Sequence, residues 1–95
     1  VSKRTVNLGR SVIFRGAVLN EETPVVGALL TLQVRRSGRW QTFKALTTNH
    51  NGIFTGRYRF RTRGARGSRF TFRAHVPAQQ GVPTMNSGTS HVRVR

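Results

Sequence analysis

Apolar and polar residues alternate almost one by one along most of this chain, and clusters of Gly, Asn, Ser and Pro interrupt the alternation. Successive side chains of an extended strand point to opposite faces, so this period of two predicts strands with one buried face each. The first predicted strand covers residues 11–19, with Val12, Phe14 and Gly16 on one side and Ile13, Arg15 and Ala17 on the other. Residues 20–27 read as a loop holding Glu21, Glu22 and Pro24. The missing N–H of Pro24 suits a loop better than a central strand. Residues 28–36 return to strict alternation, with Leu30, Leu32 and Val34 set against Thr31, Gln33 and Arg35. The short Ser37-Gly38 turn joins them to a strand over residues 39–48, which together make a hairpin. Asn49-His50-Asn51-Gly52 is a second turn, because Asn and Gly tolerate positive φ.

Residues 53–61 are predicted as a strand with Phe54, Gly56, Tyr58 and Phe60 inward and Thr55, Arg57, Arg59 and Arg61 outward. A Gly- and Arg-rich loop over residues 62–68 follows. The most regular stretch is 69–76, where Phe70, Phe72, Ala74 and Val76 oppose Arg69, Thr71, Arg73 and His75. Residues 77–87 form a polar loop, and residues 88–95 close the chain with Val92 and Val94 inward. A short leading strand is expected near residues 3–8. Strands at roughly ten-residue spacing with turns between them are the signature of a sandwich or barrel. The expected fold is therefore all-β, an immunoglobulin-like two-sheet β-sandwich of about seven strands, with arginines on both outer faces.

The length of 95 residues fits one domain spanning 1–95. No cysteine is present, so neither a disulfide nor a thiolate metal site supports the core. Phe14, Leu30, Leu32, Trp40, Phe43, Phe54, Tyr58, Phe60, Phe70, Phe72 and the interleaved valines must supply it, and Trp40 is expected to be buried, as tryptophans in sandwiches commonly are. The other place for Trp40 is an exposed platform for a sugar, with Gln33 and Gln41 to hold hydroxyls.

Charge changes the picture most. Fifteen Arg and two Lys face two Glu and no Asp, for a formal charge of +15. A field of this sign favours nucleic acid, anionic cell-wall polymer or membrane headgroups. Arg35, Arg73, Arg93 and Arg95 fall on the outward phases of three strands that a sandwich places in one sheet. Arg57, Arg59 and Arg61 form a second stripe on the opposite sheet, and Arg63, Arg66 and Arg69 a cluster at one loop end. Guanidinium groups grip phosphate and carboxylate bidentately, so these stripes are the candidate polyanion-binding residues. Base stacking needs exposed aromatics. The phenylalanines lie on inward phases, which leaves salt-sensitive contact with a polymer backbone.

Catalysis is not expected. The only carboxylates, Glu21 and Glu22, are adjacent, and a general acid–base pair needs separated, opposed groups. Without Asp or Cys, the usual nucleophilic triad cannot be assembled. His75 and His91 fall on outward strand phases and His50 in a turn; a two-His zinc site would lack a third ligand. Gly64-Ala65-Arg66-Gly67 lacks the Gly-Lys-Ser/Thr ending of a phosphate loop, and no helix follows it. No cofactor and no small-molecule substrate are expected. No apolar run approaches the roughly 18 residues of a membrane span, so no membrane insertion is expected. A first residue that is not Met and a last strand that runs to Arg95 suggest a piece of a longer protein.

Several short segments together carry a family likeness. They include Gly9-Arg10, Phe14 and Gly16 within 12–18, and Pro24 and Gly27 ahead of Leu30-Thr31-Leu32-Gln33. Gly38-Arg39-Trp40, Thr47-Thr48-Asn49, Asn51-Gly52-Ile53-Phe54, Tyr58-Arg59-Phe60, Phe70-Thr71-Phe72-Arg73-Ala74 and Gly88-Thr89-Ser90 complete the set. The chain resembles bacterial immunoglobulin-like repeats of large surface and secreted proteins, and is similar to transthyretin-like and collagen-adhesin B-type modules. The resemblance implies a seven-stranded sandwich outside the cell or at its surface, used in tandem as spacer, stalk or ligand-binding unit. It implies no catalytic residues. The expected partners are neighbouring domains of the parent chain and an anionic cell-wall polymer or other polyanion. Two departures stand out: Asn49 takes the place of the usual acid, and the charge far exceeds that of a stalk module. The charge keeps two rivals in view, a small basic nucleic-acid-binding β-domain and an accessory carbohydrate-binding domain of a secreted enzyme.

Overall fold

A computed structural model describes residues 4–61 and 67–95. Among them there is no helix, and the chain forms ten strand segments. These are β1 (Thr5–Val6), β2 (Ser11–Ala17), β3 (Leu19–Asn20), β4 (Thr23–Pro24), β5 (Leu29–Arg36), β6 (Arg39–Thr47), β7 (Ile53–Arg59), β8 (Arg69–Val76), β9 (Met85–Asn86) and β10 (Ser90–Val94). The large sheet runs in the order β1-β10-β8-β5-β6, with β9 also paired to β8. All its pairings are antiparallel except β1 with β10. β2 and β7 form a separate antiparallel ribbon, and β3 and β4 a minor hairpin.

The inner faces of ribbon and large sheet meet through aromatic rings. Phe72 of β8 lies at the centre, with ring centroids 4.8 Å from Phe14, 5.4 Å from Tyr58 and 5.9 Å from Phe43. The inward phases read from β5 and β10 hold: Leu30, Leu32, Val34, Val92 and Val94 are all buried. Gly56 lets the ribbon approach the large sheet this closely, and Gly16 makes room within the ribbon for the Phe54 ring. A Cβ on Gly56 would collide with Leu32, and one on Gly16 would lie 2.5 Å from the Phe54 ring. At the far end, buried Thr48 ties two segments together. Its hydroxyl accepts from the Ala28 N–H at 2.8 Å and donates to the Val25 carbonyl at 2.5 Å.

Several strand boundaries differ from expectation, among them β7, which ends at Arg59 rather than at Arg61. The first long strand ends at Ala17, although Val18 keeps its inward phase and donates to the Gly52 carbonyl at 2.8 Å. The chain then makes the β3–β4 hairpin around Glu21 and Glu22, both at positive φ, which puts Pro24 in a two-residue strand rather than a loop. The pairing is short and at an edge, where proline is tolerated. The stretch 77–87 is also more ordered than a polar loop. It contains β9, and Gln79 clamps Leu29: its Oε1 accepts from the Leu29 N–H at 2.6 Å and its Nε2 donates to the Leu29 carbonyl at 2.7 Å.

Candidate anion-binding surface

The outward phases of β5, β8 and β10 lie side by side because these strands are hydrogen-bonded in succession. Arg35 on β5, Arg69 and Arg73 on β8 and Arg93 on β10 thus share the outer face of the large sheet. Trp40 joins them, which corrects the expectation of a core tryptophan. The cause is a bulge in β6. Leu32 pairs with Lys44 while Gln33 pairs with Thr42, so Phe43 is an extra residue. Such an insertion resets the alternation of the bulged strand. Phe43 turns inward, with its ring centroid 4.7 Å from that of Tyr58. Trp40, two residues before the bulge region, pairs with outward-facing Arg35 and is only half-buried.

The Arg73 guanidinium lies 4.3 Å above the Trp40 ring and that of Arg35 5.8 Å from it. A cation over an indole face is stabilised by the ring quadrupole, by about 0.5–1 kcal/mol at an exposed site. Gln33 fixes the orientation further, its Oε1 accepting from Arg73 Nε at 2.7 Å. The Nη groups of Arg73 have no bond among the described residues, so they remain available to an anion. Arg73 stacks on the Trp40 ring, and Gln41 pairs with inward-facing Val34 rather than lying beside Gln33.

Farther along the same face, Arg93 pairs in register with Arg69 on one side and with Thr5 on the other. A depression opens there, lined by Arg4, Arg69, Thr89, Ser90, His91 and Arg93 and by no acidic side chain. Arg69, expected both on the strand 69–76 and in a loop-end cluster, lies on β8 directly opposite Arg93. Arg63 and Arg66 lie outside the described residues. Arg4 falls within the leading strand expected near residues 3–8 but belonged to none of the expected arginine stripes.

Arg57 and Arg59 do sit on the other layer. Arg59 pairs with Ser11 and Arg57 with Ile13, and Arg15 pairs with Thr55 nearby. Arg59 Nε donates to the Gly9 carbonyl at 2.8 Å. Arg61 and Arg95 are exposed just beyond the ends of β7 and β10. The arginines therefore form two fields on opposite sides of the core, and one straight polymer cannot lie on both.

The histidines are kept apart by their separate partners. His91 Nδ1 lies 3.0 Å from Thr71 Oγ1, and His75 Nδ1 lies 2.7 Å from Asn86 Oδ1. Among the described residues no three His, Cys, Asp or Glu side chains come together in a metal-binding group. An apolar cleft of about 340 Å³ opens between the layers, walled by Phe14, Leu32, Phe54, Phe72, Val76 and Met85 among others. No family model matches the chain, and neither a curated protein nor a solved structure does.

Proposed function

We propose that this domain is a non-catalytic, immunoglobulin-like module of a surface or secreted protein, and that the outer face of its large sheet contacts an anionic polymer. The strand order supports the first part. In such sandwiches the B and E strands pair in one layer and C, F and G in the other. Here β2 pairs with β7, and β5, β8 and β10 adjoin in the opposite sheet, with β6 on the far side of β5.

One observation carries the second part. Arg35, Arg69, Arg73 and Arg93 occupy one continuous face, one of them already oriented by Gln33 and Trp40, and no acid is interspersed. A pure spacer gains nothing from such a face, since fixed like charges repel. Neighbouring domains of the parent chain are the other partners in this reading.

The test is binding of the domain to duplex DNA, single-stranded RNA, a teichoic-acid-type polymer, a neutral glucan and anionic vesicles, at low and near-physiological salt. Tight binding of one anionic polymer at near-physiological salt is expected. Weak binding to every polyanion that disappears with salt would reduce the arginines to generic charge and leave a spacer. Preference for RNA or DNA would favour the nucleic-acid-binding rival, and preference for the neutral glucan the carbohydrate-binding one.

A further inference from the structure

The pairing of Arg69 with Arg93 is the least expected contact on the sheet. Residues directly opposite on adjacent strands have Cβ atoms about 4.5–5.5 Å apart, and like charges there are destabilising. A third cation stands beside them. The Arg4 carbonyl accepts the Arg93 N–H at 2.9 Å, which brings Arg4 alongside β10, and Arg4 lines the same depression. Three arginines from three neighbouring chain segments thus border one concavity, with Thr89, Ser90 and His91 completing its wall.

We infer that this depression is a subsite for a tetrahedral oxyanion, a phosphate or sulfate group carried on the polymer. The inference rests on the polyanion reading of the sheet face and assigns the group that the face selects. Arginine donates through paired N–H groups, and each pair is matched by two oxygens. A carboxylate has two oxygens in one plane and satisfies one such fork. Cations arranged around a concavity suit an anion with three or four oxygens pointing in different directions. Binding also removes the repulsion between Arg69 and Arg93, so the occupied site is more stable than the empty one. On the Arg57–Arg59 side no two arginines are directly opposite: Arg57 pairs with Ile13, Arg59 with Ser11 and Arg15 with Thr55.

The experiment compares two double variants of the full chain that lose the same charge. R69Q/R93Q removes the subsite, and R57Q/R59Q removes the same number of arginines from the ribbon. Affinity for inorganic polyphosphate, heparin and polyglutamate is measured at near-physiological salt, with a thermal melt of each variant as the folding control. In R69Q/R93Q the Kd for polyphosphate or heparin should rise about tenfold or more, and in R57Q/R59Q less than about twofold. R93K, which keeps the charge and loses the fork, should weaken binding several-fold. Whichever of polyphosphate and heparin binds the parent chain tighter identifies phosphate or sulfate as the group. Equal losses in both double variants, or polyglutamate binding as tightly as either, would overturn the subsite while sparing the polyanion reading. Failure of the unaltered chain to bind any of the three would overturn both.

Discussion

The two faces of the large sheet are built from the same strands, one residue out of phase, and they are stabilised in opposite ways. On the inner face Leu32, Val34, Phe72, Ala74, Val92 and Val94 are buried around one cluster of rings. On the outer face Gln33, Arg35, Arg69, Arg73 and Arg93 stand over the same backbone, tied by single contacts such as Arg73 to Gln33 and opposed by like charge at Arg69 and Arg93. The inner face is held by apolar burial, which ionic strength barely alters. The outer face contributes stability only conditionally, according to what surrounds it. A mutation on one side should therefore be insensitive to salt and on the other governed by it.

The strongest way to break this contrast is Phe72→Ala. It removes the ring at the centre of the cluster and should cost about 3–5 kcal/mol in urea unfolding, equally at low and high salt. A loss that depended on salt would contradict the division. Gly56→Ala tests the same face from the ribbon. The new methyl meets Leu32, itself buried, so the cost should be about 1–3 kcal/mol. Thr31→Val probes the outer side, where the Thr31 hydroxyl is buried with no hydrogen-bond partner among the described residues. Replacing it by a methyl should be neutral or stabilise the domain by up to about 1 kcal/mol, read from the denaturation midpoint. A comparably small effect is expected from Arg93→Thr. It should gain about 0.2–1 kcal/mol at low salt by ending the Arg69 repulsion. The gain should fade near 1 M salt, where the screening length is about 3 Å. A gain that persisted there would show that the pair is not electrostatically strained.

The inner face was legible in the sequence because β5, β8 and β10 keep an unbroken period of two. Phe70, Phe72, Ala74 and Val76 could be assigned to one side by counting alone. The return strand β6 resisted that method. Phe43 and Leu46, its two core-facing residues, are three apart, so no single phase of two contains both. That spacing was the available sign of a bulge, and it would have moved Trp40 to the outer face. The outward phases of Arg35, Arg73 and Arg93 were readable, and so was their sharing of a sheet. The pairing of Arg69 with Arg93 was not, because register between strands distant in sequence leaves no trace in either strand's alternation. Arg4 was hidden for the same reason. The Gln79 clamp was missed because a side-chain amide there replaces a backbone partner, and nothing in residues 77–87 alternates.

The parallel pairing of β1 with β10 governs how the domain would bear load in a tandem protein. The two strands lie side by side, enter and leave at opposite ends, and are the first and last of the described chain. Tension on the two flanking directions would slide one along the other. It would not peel them apart like the β5–β6 hairpin. The bonds from Arg93 N–H to the Arg4 carbonyl at 2.9 Å, Arg95 N–H to the Val6 carbonyl at 2.9 Å and Leu8 N–H to the Arg95 carbonyl at 3.3 Å would then be strained together. Bonds loaded in shear must fail nearly at once, whereas bonds loaded as a zipper fail in turn. As a link in a stretched fibre, this module would resist a sudden pull at its seam and extend only after that seam had given way.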